Sequence, residues 1–171
     1  KGRFGYATTI PGGGGTYLSG ALLTDELVHV GSWQPVRMLS DGISMNTEPE
    51  QQTRWAFSSQ ARWMAEDAIR RIERILDDPS GNSPYLDAHL YAGFANRMMG
   101  DHFCNAVIDG GPMEDYRAFH TRAVSYLNDA IALAQSQNNG TVLAAAYGAR
   151  AQARVMLGDW SGAVSDAGQV P

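Results

Sequence analysis

The chain has 171 residues, the size of one ordinary domain, and 44% of them are hydrophobic, which is enough to build a core. Its formal net charge of -5 repels phosphate backbones, which argues against general nucleic-acid binding. The longest apolar stretch, at residues 142–149, is far shorter than the ~20 residues that a membrane-spanning helix needs.

Glycine sets the first 46 residues apart from the rest of the chain. A run of four glycines occupies residues 12–15 and loosens the backbone there. Residues 19–27 have some helical character, but Pro35 then acts as a breaker, and residues 31–46 are typical of a loop. We therefore predict that residues 1–46 form an extended, irregular, Gly-rich N-terminal arm.

The helical part is predicted to start at residue 47. Thr47 and Glu50 have the spacing of a capping box. Glu66 and Asp67 each precede an arginine by four residues, which predicts favourable pairs on the solvated side of the helix. Apolar residues recur at offsets of three and four and draw one stripe: they are Ala61, Met64, Ala65, Ala68, Ile69, Ile72, Ile75 and Leu76.

A second helix is predicted to open with Ser83 as N-cap and to close at Gly100. Asp101 is expected to cap a short helical continuation to about residue 108. The Asp-Gly-Gly-Pro sequence at residues 109–112 is a clear breaker.

The next helix has the cleanest period in the chain. Its predicted apolar face consists of Tyr116, Phe119, Ala123, Tyr126, Leu127, Ala130, Ile131 and Ala134. Thr141 is expected to cap a fourth helix that Gly158 ends, and Asp159 begins a last helix.

A short signature occurs twice, as Met-Met-Gly-Asp at residues 98–101 and as Met-Leu-Gly-Asp at residues 156–159. Each copy follows an alanine-rich helix and precedes an aromatic residue, Phe103 or Trp160, with an alanine three positions further on. Such a pattern is typical of a tetratricopeptide-like hairpin, in which Gly-Asp joins two antiparallel helices and the aromatic ring packs in the groove. The fold class predicted for residues 47–171 is therefore all-α, built from tetratricopeptide-like antiparallel helical hairpins.

Three stretches carry a family resemblance. They are SGALLTDEL at residues 19–27, AHLYAGFA followed by GDHFC at residues 88–104, and ARAQARVMLGDW at residues 149–160. In these stretches the chain resembles the SusD/RagB family of outer-membrane nutrient-uptake proteins. The resemblance implies a tetratricopeptide-like scaffold that captures oligosaccharides or peptides beside a TonB-dependent transporter. It also implies an extracytoplasmic location in a bacterium, at the outer membrane or in the periplasm.

The chain departs from this family in two respects. Family members are usually considerably longer, with a second region that carries much of the ligand-facing loop structure, and they carry a lipidated cysteine that does not occur at the start of this chain. A glycan site is therefore not transferred. The chain begins at Lys1 rather than methionine, which indicates a processed product or a stretch of a longer protein.

Ionisable residues give little sign of catalysis or metal binding. Asp101, His102 and Cys104 are close in sequence, but no second pair has the spacing to complete a zinc site, so we expect no metal and interpret Cys104 as a small buried residue. Neither a serine elbow nor a cofactor motif is found, and we predict no catalytic residues and no cofactor. The histidines are scattered: they are His29, His89, His102 and His120.

Two aromatic residues are the candidate binding residues. Trp33 lies in a Gly-Ser-Trp-Gln-Pro stretch where periodicity does not predict burial, and Tyr17 is a weaker companion. An exposed tryptophan can stack on a sugar or anchor a protein interface, although Trp33 could also fold back over the helices. Trp63 and Trp160 are expected to be packing residues.

The sequence thus predicts a non-catalytic, extracytoplasmic binding or docking protein that resembles SusD-like glycan or peptide capture subunits. An alternative is an accessory or scaffold subunit docked on the extracytoplasmic face of another membrane protein complex, which the extended arm favours.

Overall fold

The computed structural model describes residues 15–45, 47 and 49–171, apart from the side chains of residues 49–51. The chain divides into two compact units, and the boundary falls between Ala61 and Arg62. Over the described residues the regular structure consists of seven helices and one two-stranded sheet, and 70% of those residues are helical. The predicted predominance of helix is confirmed.

In chain order the elements are α1 (Thr16–Leu23), α2 (Gln34–Ser40), α3 (Pro49–Ile75), α4 (Ser83–His102), β1 (Asn105–Val107), β2 (Met113–Asp115), α5 (Tyr116–Ser136), α6 (Gly140–Leu157) and α7 (Trp160–Ala167). None of the helices in the described ranges is long and apolar enough to cross a membrane.

In the first unit, α1 and α2 pack together through a small core of Leu22, Val36 and Leu39. The helical character predicted at residues 19–27 is confirmed as far as residue 23. The prediction of a loop over residues 31–46 is wrong for α2.

Proline explains the error. Pro35 lies in the first turn of α2, where its fixed φ suits a helix and its missing N–H breaks no hydrogen bond, so it starts a helix instead of ending one. Most of the glycine run at residues 12–15 lies outside the described residues. So does the side chain of Glu50, and with it the predicted capping box.

The helices of the second unit pack in chain order, α4 on α5, α5 on α6 and α6 on α7. The apolar face predicted for α5 is confirmed at Phe119, Ala123, Leu127, Ala130, Ile131 and Ala134, which are all buried. Except for Phe119, these side chains share one core with residues of α4 and α6, including Leu86, Leu90 and Ala146. Because only residues 137–139 join α5 to α6 and only residues 158–159 join α6 to α7, each helix has to reverse direction relative to the last.

Short polar side chains fix where these helices begin. The N-cap residues Asn82, Asp115, Asn139 and Asp159 each accept a hydrogen bond from a backbone N–H two or three residues further on. Asn82 is the cap in place of the predicted Ser83, and Asn139 is the cap in place of the predicted Thr141. Gly158 ends α6 with a left-handed φ of 81°, as the sequence predicts.

The two Gly-Asp signatures differ in structure. Gly158 forms a turn between helices, whereas Gly100 lies inside α4, fully buried, and the helix continues to His102. A Cβ at position 100 would lie only 2.6 Å from Nε2 of His120. Gly100 therefore serves close packing between α4 and α5, and the hairpin predicted at residues 100–101 is wrong.

The helical continuation predicted after Asp101 is also wrong, because residues 105–107 form a strand. Strand β1 pairs antiparallel with β2, with Ala106 opposite Glu114. The predicted breaker supplies the turn between them: Asp109 and Gly110 have left-handed φ values of 52° and 78°, the backbone geometry that tight β-hairpins favour.

Ion pairs attach α7 to α6. Asp166 of α7 is buried at 2% exposure. It accepts two hydrogen bonds from Arg150, at 2.8 and 2.5 Å, and pairs with Arg154 at 3.0 Å. A bidentate carboxylate–guanidinium pair fixes orientation as well as distance, so it sets the position of α7 along α6.

Candidate functional site

An open groove of about 500 Å³ lies in the first unit, between α1, the loop that follows it and the start of α2. Its ten lining residues are mainly aliphatic: Leu18, Leu22, Leu27, Val28, His29, Val30, Gly31, Ser32, Trp33 and Val36. Pockets lined by apolar groups with few polar ones are the usual form of a binding site. This groove is therefore the candidate functional site.

Trp33 is the N-cap residue of α2 and lines the groove with 54% of its surface exposed. The backbone N–H of Arg37 donates to the carbonyl oxygen of Trp33 at 3.1 Å, which attaches the Trp33 backbone to the first turn of the helix. The tryptophan that sequence reasoning selected thus lies at the site. Tyr17, on α1, is 44% exposed but is not among the lining residues, so the structure does not bring the two candidate residues together in the groove.

The loop before Trp33 adds an apolar surface that sequence reasoning missed. Val28 is 74% exposed and Val30 is 96% exposed. Apolar side chains grouped in this way on a surface are typical of interaction sites, whereas isolated ones are ordinary. The Leu-Val-His-Val sequence at residues 27–30 could have given the signal, since it is apolar without belonging to a helical stripe.

Hydrogen bonds hold this loop in place. The backbone N–H of Leu27 donates to the carbonyl oxygen of Ala21 at 3.1 Å, and the backbone N–H of His29 donates to Oγ of Ser40 at 3.1 Å. The His29 imidazole also lies so close to Gly31 that a Cβ there would be 2.9 Å from Nε2. The groove is thus shaped before any ligand arrives, which lowers the entropic cost of binding.

A polar cluster in the second unit has a structural role. Arg62 donates to Oε2 of Glu66 at 2.7 Å and to both carboxylate oxygens of Asp109, while Asn96 donates to Oε1 of Glu66 at 2.9 Å. Glu66 is only 3% exposed, so its predicted place on the solvated side of the helix is wrong. The hydrogen bond from Arg62 lowers the pKa of Asp109. The cluster fastens α3 to α4 and to the β-hairpin turn.

The histidines do not form a common site. His29 lines the groove, while His89 and His120 are buried between α4 and α5. The nearest carboxylates are Asp129, 3.6 Å from Nδ1 of His89, and Asp101, 3.7 Å from Nε2 of His120. Burial lowers the pKa of both imidazoles more than these carboxylates raise it.

Three further expectations are corrected. Cys104 is exposed rather than buried, because it follows the end of α4 instead of lying inside a helix. Trp160 is 67% exposed and Trp63 is 47% exposed, so neither is a fully packed residue. Trp160 directly follows the N-cap of α7, and the buried side of that short helix is formed by Ala163 and Asp166 instead.

Within the described ranges, no three His, Cys, Asp or Glu side chains gather closely enough to hold a metal ion.

Comparison of the chain with protein-family models, with curated proteins and with solved structures finds no match.

Proposed function

We propose that this chain is a non-catalytic binding and docking protein that works outside the bacterial cytoplasm, at the outer membrane or in the periplasm, in the manner of SusD-like capture subunits. The groove beside Trp33 is its binding site. The observation that carries this proposal is the exposed indole of Trp33 at the edge of a preformed aliphatic groove. Tryptophan is the residue type most often found as an energetic anchor at interfaces.

The chemistry of the lining favours a peptide or protein segment over a glycan. Sugar rings stack on aromatic faces but also need polar groups that hydrogen-bond to their hydroxyls. Among the ten lining residues, polar side-chain atoms come only from His29, Ser32 and the Trp33 indole. Aliphatic side chains of a peptide would fill the groove better, because they lose contact with water on entry.

The second unit suits the role of a scaffold. Helices α4 to α7 pack each on the next, with short connections between the later ones, and tetratricopeptide-like hairpins are our proposal for this arrangement. Scaffolds of this kind present binding segments on rigid helices, and the aspartate of α7 held by two arginines is consistent with such rigidity.

A second candidate function is that of an accessory subunit docked on the extracytoplasmic face of another membrane complex. The observation in its favour is on α7, where Trp160 and Val164 are 67% and 75% exposed. They are four positions apart and therefore share one face of the helix. An apolar helix face of this kind is typical of a surface that packs against another protein.

Paired tryptophan variants separate these functions. In the first case Trp33→Ala should weaken binding of the partner peptide by about 30-fold, the loss expected when an anchoring tryptophan is removed. Trp160→Ala removes an exposed indole from the other unit, at 67% exposure against 54% for Trp33, and is the matched control, with unchanged affinity. The reverse pattern would support docking through α7, and no effect of either variant would refute both assignments.

The partner itself is found by purifying the protein from its native membrane in mild detergent and identifying what accompanies it by mass spectrometry. Stoichiometric recovery with a TonB-dependent transporter, lost in Trp33→Ala but not in Trp160→Ala, would support nutrient capture. Stoichiometric recovery with another membrane complex would support the accessory role and refute capture.

A further inference from the structure

Acidic residues flank the groove-forming segments at two points along the chain. Asp25 and Glu26 directly precede the loop that lines it, and Asp41 directly follows Ser40, whose hydroxyl accepts the hydrogen bond from His29 in the lining. All three carboxylates are exposed, and none of them takes part in an ion pair within the part of the chain that the structure describes. Their charge is therefore available to a ligand.

The acidic turn directly precedes the loop that lines the groove, and a backbone hydrogen bond closes it. Asp25 has a left-handed φ of 61°, and the hydrogen bond from Leu27 to Ala21 closes the turn onto the end of α1. Residues 15–45 contain these three carboxylates against one guanidinium, that of Arg37. An apolar wall beside unpaired charges strengthens their field, because the wall excludes water that would otherwise screen it.

From these contacts, and resting on the proposed binding role of the groove, we propose that its occupant is a cationic amphipathic peptide segment of a protein partner. Apolar side chains of the segment enter the groove against Trp33 and Val28. Lysine or arginine side chains that flank them lie over Asp25, Glu26 and Asp41. The apolar contacts supply most of the affinity, while the charge pairs supply selectivity and a faster rate of association.

The experiment uses two fluorescein-labelled peptides that carry leucine at the spacing of one helix face. One peptide has lysine at all remaining positions and the other has glutamate. Each is titrated with the whole chain, and binding is followed by fluorescence anisotropy. We expect the lysine peptide to bind at least about ten-fold more tightly than the glutamate peptide. Its affinity should fall as the salt concentration rises from about 0.05 M to about 0.5 M.

Neutralising variants locate the charge effect. The double variant Asp25→Asn with Glu26→Gln should weaken the lysine peptide by about five-fold and reduce its salt dependence, since each exposed charge pair contributes modestly. The matched control is Asp77→Asn with Asp78→Asn, which removes the same charge from two exposed neighbouring carboxylates of the second unit and should leave the affinity unchanged.

The other possible outcomes of the peptide titrations would overturn the cationic partner, the binding role of the groove, or both. Equal binding of both peptides, lost in Trp33→Ala, would overturn the cationic partner and keep the groove as a binding site. Binding of neither peptide would overturn the proposed function as well. Equal loss in both neutralising variants would reveal attraction to the net charge of -5 alone and overturn the inference. Self-association that Trp33→Ala abolishes, or binding of anionic vesicles through Trp33, would assign the groove to a second copy or to a lipid surface instead.

Discussion

Gly93 of α4 and Leu127 of α5 meet where there is no room for one more carbon atom. A Cβ at position 93 would lie 2.5 Å from Cγ and 2.6 Å from Cδ2 of Leu127, whereas carbon atoms pack at about 3.5–4.0 Å. Leu127 is fully buried and cannot turn aside into solvent. Gly93→Ala should therefore cost about 3 kcal/mol of overpacking, and after the gain of about 1 kcal/mol in helix propensity the free energy of unfolding falls by about 2 kcal/mol.

The opposite change at this contact should rescue the variant. Leu127→Ala alone leaves a cavity in the core and should lower the free energy of unfolding by about 3 kcal/mol. In the double variant the added methyl group at position 93 enters that cavity, so the overlap disappears. We expect the double variant to be about 2–3 kcal/mol more stable than the sum of the single changes predicts.

The assay is equilibrium urea unfolding followed by far-ultraviolet circular dichroism. Gly148→Ala is the matched control, because Gly148 is also inside a helix but the nearest atom to its added Cβ, Cγ2 of Val170, would be at an ordinary 3.8 Å. That variant should gain about 0.5–1 kcal/mol. Additive single changes at positions 93 and 127, or stabilisation by Gly93→Ala as large as in the control, would refute the close contact of α4 and α5.

Three further predictions concern the second unit. Burial lowers the pKa of His89 and His120, so as the pH falls these histidines are protonated in the unfolded chain before they are protonated in the folded protein. The free energy of unfolding should therefore decrease as the pH falls below about 6.5. The difference between the urea midpoints at about pH 7.5 and about pH 5.5 should become smaller when both histidines are replaced by glutamine. Asp166→Ala should cost about 3 kcal/mol, since it leaves Arg150 largely buried without its carboxylate, and an unchanged thermal midpoint would contradict that pair. The single thiol, Cys104, should react fully with a thiol reagent in the folded protein, and protection until unfolding would show that it is covered.

Much of the second unit could be predicted from sequence, because its helices are specified locally. The three- and four-residue period of α5 predicts an amphipathic helix, and the Gly-Asp pair at residues 158–159 predicts a helix end followed by a new helix start. Both predictions need only a few neighbouring residues. The buried face of α5 and the left-handed glycine at the end of α6 follow directly from these patterns.

The region around residue 100 could not be predicted, because its outcome depends on a distant residue. Locally, Gly100 followed by Asp101 has the form of a helix end. In the fold, the ring of His120 on α5 needs the space that only a glycine leaves on α4, and the helix continues past it. Likewise, Glu66 has the spacing of a solvated ion pair, but Asn96 and Arg62 bury it.

The candidate site divides in the same way. That Trp33 follows no helical stripe could be predicted from its neighbours along the chain, but its exposure could not, because the sequence also allowed it to fold back over the helices. The groove could not be predicted from the sequence, because its walls come from α1, the loop at residues 27–33 and the first turn of α2, which a hydrogen bond between His29 and Ser40 brings together. Local periodicity and capping were enough to predict the helices α5 to α7, whereas α2 and the strand β1 were missed. Contacts between residues further apart in the chain decided that Glu66 is buried, that α4 continues past Gly100 and where the apolar groove lies.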